Sequence, residues 1–199
     1  MEEKVNIHEQ NDVIAPQSIK KNYLYNAVAK IFSLLIPILV TPYLARVLEA
    51  DGNGVISFIA SIVSYFVIAS NIGIETYGQK YISSNRNDKA EIKKFFYEIF
   101  LLRALLTGIC LVIYLVTFVC FLGGENYLLY AVYGITLLGV ALDFTWFFQG
   151  VEDFKKIAFA NVISKIIYIV LIFVFVKTKS DILIASLITV ITSFTPYLF

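Results

Sequence analysis

The sequence predicts an all-α fold, a polytopic membrane bundle of about six transmembrane helices. Three observations carry that prediction. Hydrophobic residues make up 59% of the 199-residue chain and charged residues only 16%, where a soluble domain facing water carries about 25% charged residues. Mean hydropathy is +0.78. The apolar residues are also gathered into runs approaching the ~20 residues that a helix needs to cross ~30 Å of hydrocarbon. The runs do not alternate in the ~10-residue segments of an outer-membrane barrel, so the expected spans are helices.

Taken in order, residues 1–22 are polar and read as a cytoplasmic tail, with Glu2, Glu3, Lys4, Asn11 and Asp12. The first apolar run is too long for the core of a signal peptide and lacks a cleavage site, so none is expected. Spans are expected at about 23–44, 55–74, 99–122, 127–148, 157–176 and 182–199, with a cytoplasmic loop or helix at 75–98. Pro37 and Pro42 fall in or beside the first span. Each removes a backbone donor and bends the helix, which suits either a gate or a static kink. Asp88 followed by Glu91 has capping-box spacing and predicts a helix start that runs into the third span. Gly123-Gly124-Glu125-Asn126 predicts a tight turn between spans three and four.

Lys and Arg set the orientation. With the N-terminus inside, ten of the sixteen lie in cytoplasmic segments and three, Arg46, Lys177 and Lys179, lie outside. Both termini are therefore expected in the cytoplasm. The remaining three, Lys30, Arg103 and Lys165, sit within spans. Cys110 and Cys120 lie ten residues apart on one expected helix, roughly 15 Å, too far for a disulfide. The single histidine, His8, lies in the tail. No metal, cofactor, nucleic-acid partner or catalytic machinery is expected.

Polar residues inside the spans recur at helical steps of three and four. The first span carries Asn26, Lys30, Ser33, Pro37 and Thr41; the second carries Ser57, Ser61, Ser64 and Asn71, with one gap at Ile68, and Glu75 continues the stripe just past the span's end. The third carries Arg103, Thr107, Cys110, Tyr114 and Thr117; the fourth Thr136, Gly139, Asp143, Trp146 and Gly150. The fifth carries Asn161, Lys165 and Tyr168; the sixth Ser186, Thr189, Ser193 and Pro196. Small and hydroxylated residues suit close helix packing as well as a cavity. Ionised residues in hydrocarbon cost about 2.5–3.5 kcal/mol on insertion scales, so they face a cavity, find a partner or snorkel. Three cations against one acid, Asp143, point to an anionic cargo such as a phosphate or pyrophosphate headgroup.

Several stretches resemble a known family, the polysaccharide-exporting lipid flippases, including the O-antigen and teichuronic-type repeat-unit flippases. They are PYLARVLEADGNGVISF at 42–58, Ser64-Tyr65-Phe66, Gly73-Ile-Glu-Thr-Tyr-Gly78, and Asp143-Phe-Thr-Trp-Phe-Phe-Gln-Gly-Val-Glu-Asp-Phe-Lys155. The Trp-Phe-Phe-Gln-Gly string is the most specific of these. The chain departs from the family pattern at Glu49, where members often have Gly, and in length. The family is similar to two bundles of six or seven helices around a central cavity, so the resemblance implies one lobe, the N-terminal one, of a two-lobe transporter in a bacterial inner membrane. It further implies a non-enzymatic protein that flips a polyprenyl-pyrophosphate-linked oligosaccharide between rocking lobes. A second lobe or a homodimer partner would supply the other wall.

Carried over by position, Lys30, Arg46 and Arg103 would face the pyrophosphate, and the basic in-span balance adds Lys165. Asn26, Asn71, Asp143 and Gln149 would contact sugar or a coupling ion. Arg46 also suits an external anchor at the headgroup level. Three other readings stay open: a multidrug or cation extruder of the same superfamily, an inactive truncated fragment, and a membrane-embedded polysaccharide-assembly enzyme. The first calls for acidic cavity residues. The last calls for a large external loop, which the short external segments do not provide.

Overall fold

The computed structural model describes residues 19–86 and 88–198. The expected tail at 1–22 lies outside the described residues up to residue 18. The chain is an all-α membrane bundle. Its helices are α1 (Ile19–Val47), α2 (Glu49–Ser70), α3 (Ile74–Ser84), α4 (Lys89–Tyr114), α5 (Tyr127–Leu142), α6 (Thr145–Gly150), α7 (Phe154–Phe175) and α8 (Ile182–Phe194). A π-helical stretch, Leu115–Phe121, prolongs α4, and a 3₁₀ turn, Thr195–Leu198, follows α8.

Among the described residues, five helical stretches are long and apolar enough to cross a membrane: Lys30–Val47, Glu49–Ser70, Lys89–Phe121, Gly124–Gly150 and Phe154–Phe175. Their outer faces carry bare Leu34, Ile38, Leu101, Leu105, Val112 and Phe175. Water would penalise that much apolar surface, whereas lipid does not. The sixth apolar run differs from expectation. Its α-helix has 13 residues, about 20 Å at 1.5 Å per residue. Pro196 explains the early end of the α-helix: it has no N–H to donate to the Thr192 carbonyl, so the chain tightens into the 3₁₀ turn, although Thr195 itself keeps a right-handed helical backbone (φ −55°, ψ −39°). The fourth run differs too: the helix stops at Leu142 and resumes at Thr145. Asp143 causes the break, because its carboxylate accepts from the Thr145 amide at 2.9 Å and so offers the backbone a local alternative to the helix.

α5 is the hub, packed between α2, α4 and α8. Fully buried Tyr114 and Leu137 lie at the heart of this core with Ile59, Val63 and Val190. Tyr114 donates to the Tyr130 carbonyl at 2.9 Å, which satisfies the hydroxyl of a side chain with no solvent access. α1 packs on α7, and Tyr43 closes that pair by donating to the Val176 carbonyl at 2.6 Å.

The third cluster lies at the end of the bundle where α3 and α6 meet. Gly73, at φ +67°, makes the turn that starts α3, a left-handed conformation glycine adopts without cost. The helices then touch through glycine. A β-carbon at Gly78 would fall 2.5 Å from Trp146 Cε3, and one at Gly150 would fall 2.8 Å from Ile82 Cβ. Trp146 and Ile82 fill the space so created and are buried. The Asp88 carboxylate caps α4 by accepting from the Ala90 and Glu91 amides. The other half of the expected capping box is not formed: Glu91 instead accepts from Tyr81 Oη at 2.5 Å. That acceptor pushes the Tyr81 phenol up to about 12.

Candidate functional site

The break after α5 creates the polar centre of the molecule. Leaving the helix at Asp143 frees that residue's carbonyl from the backbone ladder, and Arg103 Nη1 donates to it at 2.6 Å. The same guanidinium lies 3.6 Å from Glu75 Oε1 and 3.8 Å from Asp143 Oδ2. Glu75 in turn accepts from Asn71 Nδ2 at 2.6 Å. Arg103 is 1% exposed, so its charge reaches neither bulk water nor open lipid. Three elements hold it: α4 carries it, α3 presents Glu75, and the α5–α6 link presents Asp143. One cation between two carboxylates is a negative cluster by formal charge. Three buried polar atoms around it, Arg103 Nε, Thr107 Oγ1 and Asn71 Oδ1, lack a partner among the described residues.

Asp143 also reaches the other side of the link. There α1, α7 and α8 enclose a cavity of about 530 Å³. Its walls are Pro37 and Thr41 on α1, Asn161, Ser164, Lys165 and Tyr168 on α7, and Thr189, Thr192 and Ser193 on α8, with Asp143 and Thr145 also lining it. Four of its hydroxyls already donate to backbone carbonyls: Ser164 to Thr192 at 2.6 Å, Thr189 to Ala185 at 2.8 Å, Thr192 to Ile188 at 2.7 Å and Ser193 to Val190 at 2.6 Å. Their oxygens therefore face the cavity mainly as acceptors. Lys165 supplies the ammonium, Asn161 an amide and Tyr168 an aromatic face, a set suited to a polyhydroxylated molecule with an anionic group.

The structure thus brings Lys165, Asp143 and Pro37 to one cavity and sets Arg103 behind it in the carboxylate clamp. Lys30, Arg46 and Pro42 are exposed on α1 and do not line the cavity. Asn71 belongs to the clamp. Gln149 lies half-buried on α6, and its backbone carbonyl accepts from the Glu152 amide. The side chain of Asn26 lies outside the described residues. Glu75 and Asn161, which the sequence places on polar stripes without assigning them to a site, belong to it, as do Ser164 and Thr192, which no stripe includes. The first three-residue stripe on α7 already held the signal for Asn161, whereas Ser164 and Thr192 become meaningful only once α7 and α8 are seen to cross.

The remaining polar stripes have other uses. Ser61 and Ser64 on α2 are exposed and donate to the carbonyls one turn earlier. Thr107 and Tyr114 on α4 point into the protein. The most distinctive sequence stretches meet one another: Gly73–Gly78 is the start of α3, Trp146–Gly150 is α6, and they form the tight glycine-mediated contact beside the clamp. Arg86 and Glu152 tie the following turns together at 2.6 Å.

Comparison with known proteins places the chain in a family. The chain matches the family described as "Polysaccharide biosynthesis protein" over residues 19–198. It belongs to that family. A protein of Escherichia coli (strain K12) named "Putative O-antigen transporter" is 28% identical over 173 residues, covering 86% of this chain and 41% of its own length. A protein of Shigella dysenteriae with the same name is 30% identical over 171 residues, covering 86% and 43%. The chain therefore spans about two fifths of the length of these relatives. No solved structure matches it.

Proposed function

We propose that the chain takes part in moving a polyprenyl-pyrophosphate-linked oligosaccharide across a bacterial inner membrane for surface polysaccharide export, without catalysing a covalent step. The observation that carries this reading is the cavity between α1, α7 and α8, with Lys165, Asn161, Tyr168 and a ring of hydroxyl acceptors inside a bundle otherwise clothed in apolar side chains. Sugar hydroxyls donate to such acceptors, a sugar ring stacks on tyrosine, and an ammonium attracts phosphate. Family membership and the names of the two relatives support the cargo class.

In this reading the bundle is one wall of a passage whose other wall is a second lobe or a second copy. Lys30 and Arg46, exposed on α1, would meet the headgroup from the open side, Asn26 and Gln149 would add polar contacts, and Pro37 and Pro42 would let α1 flex. The end bearing α3 and α6 faces the cytoplasm, as Lys80, Arg86, Lys89, Lys93, Lys94, Lys155 and Lys156 gather there. Reporter fusions at Ser84 and Gly124 check that orientation.

The deciding experiment is complementation. Cells lacking their own O-antigen flippase are given this chain, alone or with a chain supplying a second bundle, and surface polysaccharide and internal lipid-linked intermediate are measured. Restored export that Lys165→Gln abolishes, at unchanged protein level, supports the proposal. Export that is indifferent to Lys165→Gln overturns the assignment of the cavity. One observation favours a cation extruder instead, namely Asp143 on the cavity wall. Drug resistance conferred by the chain and lost in Asp143→Asn would move the function there.

A further inference from the structure

We propose that the groove between the start of α4 and the outer face of α6 is a binding site for an anionic glycerophospholipid. The groove has a volume of about 490 Å³ and its wall is almost wholly apolar, built from Phe96, Phe144, Phe147 and Phe148, with Lys89 and Lys93 on it. Lys89 and Lys93 stand one turn apart on the same face of α4. They lie where a charged first turn gives way to the apolar run beginning at Phe95, the depth at which lipid phosphates sit.

Charge decides the occupant. The carboxylates around the groove have partners of their own: Asp88 caps α4, Glu91 accepts from Tyr81, Glu152 pairs with Arg86 at 2.6 Å and Asp153 with Lys156 at 3.3 Å, and Glu98, farther along α4, forms no ion pair with either lysine. Among the described residues no ion pair involves Lys89 or Lys93. Two ammonium groups without an ion-pair partner among the described residues, above an aromatic slot, match a phosphate headgroup above an acyl chain. A zwitterionic lipid would fill the slot but bring a cation to the lysines.

The position gives such a lipid a consequence. The opposite face of α6 carries Trp146 and Gly150 against α3, and the link before α6 carries the Asp143 carbonyl that receives Arg103. A lipid wedged between α4 and α6 would brace the two elements that hold the carboxylate clamp together. The site lies outside the α1–α7–α8 cavity and shares no residue of the polar set proposed there to bind cargo.

Trp146 is the chain's one tryptophan, and it stacks on groove residue Phe96 at 5.8 Å between ring centroids. It therefore reports on the groove. The full chain is reconstituted in phosphatidylcholine vesicles containing a small fraction of lipid brominated on its acyl chains, either phosphatidylglycerol or phosphatidylcholine, and tryptophan quenching is recorded. The expected result is saturable quenching at about tenfold lower fraction for the anionic lipid, a preference removed in the Lys89→Glu/Lys93→Glu variant. The Lys80→Glu/Lys94→Glu variant, altered at exposed lysines off the groove, should keep the preference. Equal quenching by both lipids overturns the proposal, as does a preference that survives charge reversal at Lys89 and Lys93. Displacement of the brominated phosphatidylglycerol by polyprenyl phosphate at a fraction about tenfold lower than unlabelled phosphatidylglycerol requires also overturns it and hands the groove to a polyprenyl lipid.

Discussion

Gly78 stands so close to Trp146 that a β-carbon at position 78 would lie 2.5 Å from the indole Cε3. α3 and α6 approach through that gap, and the indole is buried at 2% exposure. Because Trp146 is itself hemmed in by Phe95, Phe96 and Phe147, it has little room to retreat. Gly78→Ala should therefore cost about 1–3 kcal/mol through overpacking. The cost should shrink when Trp146→Leu is added, since each change addresses the same space. Thermal unfolding of the four proteins of that cycle, in one detergent, measures the coupling.

Arg103 is a clamp as well as a charge. Its guanidinium reaches a carbonyl and two carboxylates on two other elements, α3 and the α5–α6 link, which a lysine ammonium cannot span in the same planar geometry. Arg103→Gln leaves Asp143 and Glu75 without their cation and should cost about 3 kcal/mol, the low end for breaking a buried ion pair because Glu75 is half exposed. Arg103→Lys should recover part of that loss. If instead all three proteins unfold together on heating, the clamp contributes no stability and the residue is free to serve cargo alone.

How much of this was legible beforehand depends on the range of the interaction concerned. The membrane class and the polar stripe Asn161–Lys165–Tyr168 follow from composition and helical period, which are local properties. Asp88 could be placed at the start of α4 for the same reason. The clamp could not be read, because Glu75, Arg103 and Asp143 are brought together by folding across 28 and 40 residues of sequence. Equal hydropathy on either side of Asp143 concealed the helix break, which depends on one carboxylate bonding to the Thr145 amide. Lys30, Arg103 and Lys165 look alike as in-span cations, yet one is exposed, one is clamped and one lines a cavity. Only tertiary packing separates them.

Glu49 adopts φ +59°, the left-handed conformation that costs a residue with a β-carbon roughly 1–2 kcal/mol. The cost is borne at the α1–α2 turn, where the same side chain reaches Lys179 Nζ at 2.7 Å. Replacing Glu49 by Ala removes the ion pair and keeps the strain; replacing it by Gly removes both. Glu49→Gly should therefore be more stable than Glu49→Ala by about 1 kcal/mol, read as a difference in unfolding midpoint. Equal midpoints would mean that the turn relaxes around alanine without cost.

The turn joining α7 to α8 should be sensitive to pH at both extremes. Asp181 accepts from the Lys177 amide at 2.9 Å, from the Thr178 amide at 2.7 Å and from the Thr178 hydroxyl at 3.0 Å. These donors, the Lys177 amide first, hold its carboxyl below the ordinary value of 3.8. A depressed folded value means that the stabilisation is complete above the ordinary value and disappears as pH falls through the folded one. Lys179 is shifted the other way, upward from 10.5 by its hydrogen bond to Glu49. Its contribution is complete below the ordinary value and is lost as pH rises through the raised one. Hydrogen exchange at the Lys177 and Thr178 amides should accelerate, beyond its intrinsic pH dependence, once pH drops below about 4, and the Asp181→Asn variant should lack that acid response. A Glu49→Gln variant should leave the acid limb intact and blunt the alkaline one. Acid acceleration that persists in Asp181→Asn would mean another group controls the turn.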